Sequence, residues 1–352
     1  MKKYTSLFIS VVLMVLALSF NAYAAEWPDT VVDGHLHYLD FLQQTDGFLK
    51  LTRKMDDAGV DSAVIFGMAM AKQWDENTEI APTYYLSNDS RCYYYSGTDH
   101  LLLQDLKKQP YAIRKRFYPF ICGINPNDRY AASQLRTLLE MYPGEIYGIG
   151  EVMSRHDDLT ALTYGEPPHA DHPAFLEIFD LAAEYDIPVL IHHNISGVNI
   201  EDPIYLKEMQ NALAHNRDTN IIWAHVGISR RITVPSLLSV ADKMLKENEN
   251  LYYDISWIVF EDYINKDKVS LRKWANLIEK YPDRFILGTD KVGHWDTYPD
   301  EVTKYTPLIE LLSDETAAKL TGGNMLRLIG VKENAATGAK TNTAVKEKKE
   351  AA

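Results

Sequence analysis

Residues 30–37 read Thr30-Val31-Val32-Asp33-Gly34-His35-Leu36-His37, a β-branched opening that ends in two histidines one residue apart. In an extended strand, residues two apart face the same side, so both imidazoles can converge on one point. The spacing is weak by itself, because paired histidines at a strand end can equally be solvated or satisfied in a core. Four later runs end in the same manner. Ile146-Tyr147-Gly148-Ile149-Gly150 leads into Glu151, Val189-Leu190-Ile191 into His192, Ile221-Ile222-Trp223-Ala224 into His225, and Phe285-Ile286-Leu287-Gly288-Thr289 into Asp290. Continuous apolar runs are typical of parallel strands buried on both faces. A carboxylate placed there must be paired or bound to a cation to offset its desolvation.

Working outward, short β-branched or aromatic runs recur at 30–37, 60–66, 117–124, 146–152, 187–193, 221–226, 251–256 and 284–290. Most are followed by helical spacing, such as Phe175, Ile178, Phe179 and Ala182, or Trp274, Leu277 and Ile278. Strand and helix alternating eight times predicts an α/β fold, a (β/α)8 TIM barrel of one domain over 25–332, with its active site at the C-terminal strand ends. The stretch near 70–108 breaks the repeat and carries Trp74, Tyr84, Tyr85, Tyr93, Tyr94 and Tyr95. It reads as an insertion after the second strand, either covering substrate at the barrel mouth or forming an aromatic surface subdomain.

The ends of the chain read differently. Lys2 and Lys3, an apolar run from Leu7 to Phe20 and the small residues of Ala22-Tyr23-Ala24 form a signal peptide over 1–24, predicting an exported, periplasmic or secreted protein. The run is short of the ~20 apolar residues of a membrane span, so no membrane association is expected after cleavage. Residues 333–352 lack large apolar side chains and read as a disordered tail. Without Lys2 and Lys3, 34 basic residues remain of 36, against 49 Asp and Glu, for a net charge of −15. That balance argues against a general affinity for nucleic acid or anionic membrane. Cys92 and Cys122 are the only cysteines, compatible with one disulfide or two isolated thiols and with no cysteine metal site.

Taken together, Val32-Asp33-Gly34-His35-Leu36-His37, Pro188-Val189-Leu190-Ile191-His192, Ala224-His225-Val226-Gly227, Gly288-Thr289-Asp290 and the closing Gly322-Gly323-Asn324-Met325-Leu326-Arg327-Leu328 resemble the amidohydrolase superfamily, in its amidohydrolase-related (type 2) branch. The resemblance implies that His35, His37, His192, His225 and Asp290 are metal ligands, with His193 the competing choice on the fifth strand. Glu151 is similar to the carboxylate that bridges two metals in TatD-like members, which leaves one ion or two open.

Imidazoles and carboxylates suit a divalent metal such as Zn²⁺, and a catalytic cation activates water at neutral pH. Asp290 is then the natural proton acceptor, with His225 either a ligand or a group that polarises the substrate. Arg230, in the loop after the sixth strand, is the candidate for holding a substrate carboxylate or phosphate. Lys291, His294 and Trp295 are weaker candidates at the mouth. His156, His169 and His172, with Asp157 and Asp158, read as a solvated loop, and Asp254 as a ligand-orienting or buried polar residue. The expected function is a metal-dependent hydrolase that uses metal-activated water on an amide, ester, lactone or phosphoester of a small-molecule substrate. A non-oxidative decarboxylase is the first alternative and a catalytically silent ligand-binding barrel the second; a homo-oligomer is compatible with any of them.

Overall fold

The computed structural model describes residues 27–28, 30–86 and 89–332, and the backbone of 341–342. The expected signal segment lies outside the described residues. So does the expected tail, except for 341–342, whose backbone pairs antiparallel with Val331–Lys332.

The apolar runs become a parallel sheet of β1 (Val32–His37), β2 (Ser62–Phe66), β5 (Phe117–Ile121), β6 (Gly148–Met153), β7 (Val189–His192), β8 (Ile221–Trp223) and β9 (Leu251–Asp254). The sheet closes through an interrupted eighth position. Phe285–Ile286 (β10) pairs with β9, and Lys291–Val292 (β11) pairs with β1. Between them, the Gly34 amide donates to the Leu287 carbonyl at 2.8 Å and the Asp290 amide to the His35 carbonyl at 2.8 Å, so β1 is held along this seam. The result is a (β/α)8 barrel.

Several strands are shorter than their apolar runs. The eighth was expected to be continuous over 284–290, yet Asp290 has φ +52° and the chain bends before it. The sixth was expected to carry His225 within it. Instead β8 stops at Trp223, and His225 and Val226 form a tight turn with φ +53° and +52°. Left-handed backbone at branched or bulky residues costs on the order of 1–3 kcal/mol each. Here it swings two site side chains inward just past their strand ends.

Two layers of apolar packing support the barrel. Inside it, Val32, Val64, Phe66, Phe120, Leu190, Ile222 and Ile286 fill the interior, and Met325 and Leu326 of the helix Asn324–Leu328 join them. Asn324 fixes that helix by donating to the carbonyls of Pro282 and Phe285 at 2.8 and 2.9 Å, which places it under the N-terminal strand ends. Outside the strands, helices such as Pro173–Tyr185 and Lys268–Lys280 bury their apolar stripes, including Phe175, Phe179, Trp274 and Ile278.

The stretch near 70–108 is composite. Met70–Lys72 (β3) and Cys92–Tyr94 (β4) form a small antiparallel ribbon, and Gly97–Lys107 is the helix of the second crossover. The buried Lys72 ammonium donates to the carbonyl of Tyr85 and, at 3.4 Å, to that of Thr83, tying the intervening loop down. Cys92 and Cys122 are buried and unpaired. Among the described residues, no helix is long and apolar enough to cross a membrane.

Candidate functional site

At the C-terminal ends of the strands, His35, His37, Glu151, His192, His225 and Asp290 converge. Glu151 is at their centre and is buried. Its Oε2 lies 3.3 Å from His37 Nε2 and 3.7 Å from His35 Nε2. Its Oε1 lies 3.1 Å from His192 Nδ1 and 3.6 Å from His225 Nε2. Each carboxylate oxygen therefore faces a different pair of imidazoles. Asp290 closes the cluster, with Oδ1 3.2 and 3.3 Å from Nε2 of His35 and His37, and Oδ2 3.8 Å from His225 Nε2.

The outer nitrogens fix the proton positions. His35 Nδ1 faces Asp254 Oδ2 at 2.8 Å, His37 Nδ1 the Gly67 carbonyl at 3.0 Å, His192 Nε2 the Asn194 Oδ1 at 3.0 Å, and His225 Nδ1 the Ser256 carbonyl at 3.2 Å. Each of these partners accepts, so each neutral ring carries its proton on the outside. All four inner lone pairs then point at Glu151 and Asp290. Lone pairs facing carboxylates in a buried site repel unless a cation lies between them. Orienting a ligand histidine by an acceptor on its far nitrogen is the usual construction of a metal site.

The titration tendencies express the same demand for positive charge. Burial disfavours charge on His35, but Asp254, Asp290 and Glu151 outweigh it and hold its pKa well above the ordinary value. His37 is raised too, with burial opposed by hydrogen bonding to Asp290 and Glu151. Burial would raise Glu151, yet the His35 charge and the His192, His225 and His37 contacts hold it well below the usual carboxylate range. Asp290 is likewise lowered against burial, chiefly by His35. Fit to a divalent cation also shows in one atom. His35 Nε2 is buried without a hydrogen-bond partner, although Asp290 Oδ1 is 3.2 Å away.

Local backbone makes the convergence possible. Gly150 has φ +147°, and a Cβ there would meet Leu190 at 2.6 Å. Gly288 passes so close over β1 that a Cβ would lie 2.5 Å from the His35 Cβ. Asp33 links the same two elements, accepting from the amides of His35 and Thr289 at 3.1 and 3.0 Å and from the Thr289 and Tyr298 hydroxyls at 2.6 and 3.0 Å.

Other expected residues lie elsewhere. His193 points away from the cluster, with Nδ1 2.7 Å from Ser154 Oγ and Nε2 3.2 Å from the Tyr205 carbonyl. Arg230 does not join the six side chains. Its guanidinium is held by Asp158 at 2.5 Å, because Asp157 and Asp158 fold under this loop and draw Arg230 and Arg231 onto themselves. His294 is held between Asp40 and Asp46, 3.1 Å from each, and Trp295 is buried. His172 caps the helix Pro173–Tyr185, and His169 is half-exposed. The loop of His156 was expected to be solvated, but His156 is buried and stacks on His192 with ring centroids 4.3 Å apart. The helical turn at 156–163, in which Thr160 bonds back to His156, folds it inward.

Asn194 and Ser256 complete the outer contacts of His192 and His225. Their only sequence signal is position, two residues after His192 and two after Asp254. Beside the cluster, a cavity of about 260 Å³ opens between Asp290, Tyr85, Trp257, Lys291 and Tyr305.

The pattern of the family described as Amidohydrolase matches residues 32–331. The chain belongs to the amidohydrolase family. It is accordingly an enzyme of a family in which divalent metals are typical. None of the curated proteins matches it in sequence. Among solved structures, an amidohydrolase from Burkholderia multivorans with bound zinc is 14% identical, covers 85% of this chain and 99% of its own, and has a TM-score of 0.55. A dihydroorotase from Campylobacter jejuni is 16% identical, with 89% and 86% covered and a TM-score of 0.53. A 2,6-dihydroxybenzoate decarboxylase complexed with 2,6-dihydroxybenzoate is 15% identical, with 86% and 99% covered and a TM-score of 0.51. At these identities the likeness is one of fold. This amidohydrolase thus shares its barrel with a dihydroorotase and a decarboxylase.

Proposed function

We propose that this amidohydrolase is a hydrolase with a two-metal centre, acting on an amide, ester, lactone or phosphoester of a small molecule. The observation that carries the reading is the position of Glu151, whose two oxygens address separate histidine pairs as a bridging carboxylate would. His35, His37 and Glu151 would hold one ion, and Glu151, His192 and His225 the other, with Asp290 reaching the first. Zinc suits this donor set, and a zinc-bound neighbour of the same fold supports it. When bound, divalent metal supplies Lewis acidity and lowers the pKa of water to about 7.

The chain's own groups do the rest. Asp290, facing both the cluster and the cavity, takes the proton from the attacking water and returns it to the leaving group. Asp254 and Ser256 hold His35 and His225 in the tautomers that leave their inner lone pairs free. Tyr85 and Trp257 wall the cavity and limit water around the scissile bond.

A decarboxylase with one ion would use a cation to hold the substrate carboxylate; Arg230 is engaged by Asp158, which leaves that role to Lys291, a cavity-lining residue that donates to the Thr297 hydroxyl. Export after removal of residues 1–24 is part of the same proposal, supported by the basic start and apolar run; the mass of the mature protein tests it. Function is tested by reconstituting chelator-treated protein with Zn²⁺ and screening amides, lactones, phosphoesters and aromatic carboxylates for hydrolysis and for CO₂ release. Metal-dependent hydrolysis is the expected result. CO₂ release without hydrolysis contradicts it.

A further inference from the structure

We propose that His156 is a catalytic residue, donating a hydrogen bond from its Nε2–H to a substrate oxygen held beside Glu151 and His192. This rests on the six-residue cluster being the reacting centre.

The first support is a fixed tautomer. His156 Nδ1 accepts the backbone N–H of Asp158 at 3.0 Å. A backbone amide can only donate, so the neutral ring carries its proton on Nε2. That arrangement also removes His156 from the set of metal ligands, since Nε2 has no lone pair to offer.

The second support is placement. The ring lines a second, smaller cavity of about 20 Å³, roomy enough for one oxygen atom, together with Glu151, His192, His225, Trp257 and Asp290. It is 4% exposed, and the hydrogen bond that its ring makes runs through Nδ1. A ring N–H that opens on a cavity can donate to the oxygen that occupies it.

The third support is rigidity. Thr160 Oγ accepts the His156 amide at 2.8 Å and donates back to its carbonyl at 3.1 Å, and the Ala161 amide donates to the same carbonyl at 3.0 Å. The ring lies 4.3 Å from His192, tilted 27°, and 6.4 Å from Trp257 at the same tilt. A donor fixed before substrate arrives needs no reorganisation as charge develops on a carbonyl or phosphoryl oxygen.

His156→Phe keeps the stacking ring and deletes the donor, whereas His156→Gln keeps a donor near the Nε2 position. With Zn²⁺-loaded protein and the best hydrolysed substrate of the panel, His156→Phe is expected to lower kcat about 10²-fold, with metal content unchanged. His156→Gln should recover part of that loss. Wild-type kcat in the Phe variant overturns the proposal, and loss of metal from that variant would make His156 a support for His192 instead. Long-range ¹H–¹⁵N spectra of the metal-loaded protein read the tautomer without reference to turnover. A proton on Nε2 alone is expected, and a proton on Nδ1 overturns the proposal. Absence of metal-dependent turnover in the wild type with the expected spectrum would count against the hydrolase reading and against a catalytic His156 alike. Turnover with a protonated Nδ1 would sink only the latter.

Discussion

Asp254 Oδ2 lies 2.8 Å from His35 Nδ1, joining the end of β9 to the end of β1 across the barrel mouth. Ser256 Oγ donates to the same oxygen at 2.6 Å, so the carboxylate both orients His35 and is itself oriented. Burial opposes ionisation of Asp254, but the His35 charge and hydrogen bond hold its pKa below the ordinary value. Outer acceptors of this kind raise the basicity of a ligand histidine.

Asp254→Ala should therefore weaken metal retention by about 10–100-fold while leaving all six inner side chains in the chain. Competition with a chelator, read as residual metal per chain, measures it. Unchanged retention would reduce Asp254 to a packing role.

Asp290→Asn should lower kcat by about 10²–10⁴-fold, because the amide cannot accept the proton of water. Steady-state kinetics with far-ultraviolet circular dichroism separates this loss from misfolding. Undiminished turnover would remove the assigned role of Asp290.

The metal-free protein should respond to pH with a definite sign. His35 and His37 have folded pKa values raised above 6.5, so the stability they contribute is fully present below that pH and is lost as pH rises through the raised values. Glu151 and Asp290 are depressed, so theirs is present above the ordinary carboxylate values of 4.5 and 3.8 and is lost on acidification. Chelator-treated protein should lose Tm as pH rises above 6.5. Metal-loaded protein, whose cations replace those protons, should not show that loss, and parallel profiles would argue against a cation in this cluster. Scanning calorimetry of both forms makes the comparison.

Gly288→Ala places a methyl 2.5 Å from the His35 Cβ. Overpacking of this kind costs roughly 1–3 kcal/mol, and here it also displaces a candidate ligand. Lower Tm together with lower metal content is expected from thermal melting and elemental analysis. A fully loaded variant would show that the seam can relax.

Much of this was legible in the sequence for one physical reason. Strands buried on both faces leave apolar runs, and a polar residue terminating such a run stands out, as Glu151 does after Gly148-Ile149-Gly150. The barrel then brings distant strand ends to one mouth. Contacts decided by tertiary approach left no comparable pattern. His225 sits in a left-handed turn past β8, which the preceding apolar run conceals. Choosing His192 over His193 depends on which side of the sheet each faces, and the structure turns His193 toward Tyr205. His156 sits in a polar loop that reads as solvated, yet one helical turn buries it against His192. Arg230 looked available because its pairing with Asp158 joins residues far apart in the chain.

Metal stoichiometry of the wild type and of Glu151→Ala tests the central claim most directly. Protein reconstituted with Zn²⁺ and freed of excess ion should carry two ions per chain by elemental analysis. Glu151→Ala, with its fold verified by circular dichroism, should carry one. A wild type that saturates at one ion, with the variant unchanged, would contradict the bridging role of Glu151 and the two-metal hydrolase with it.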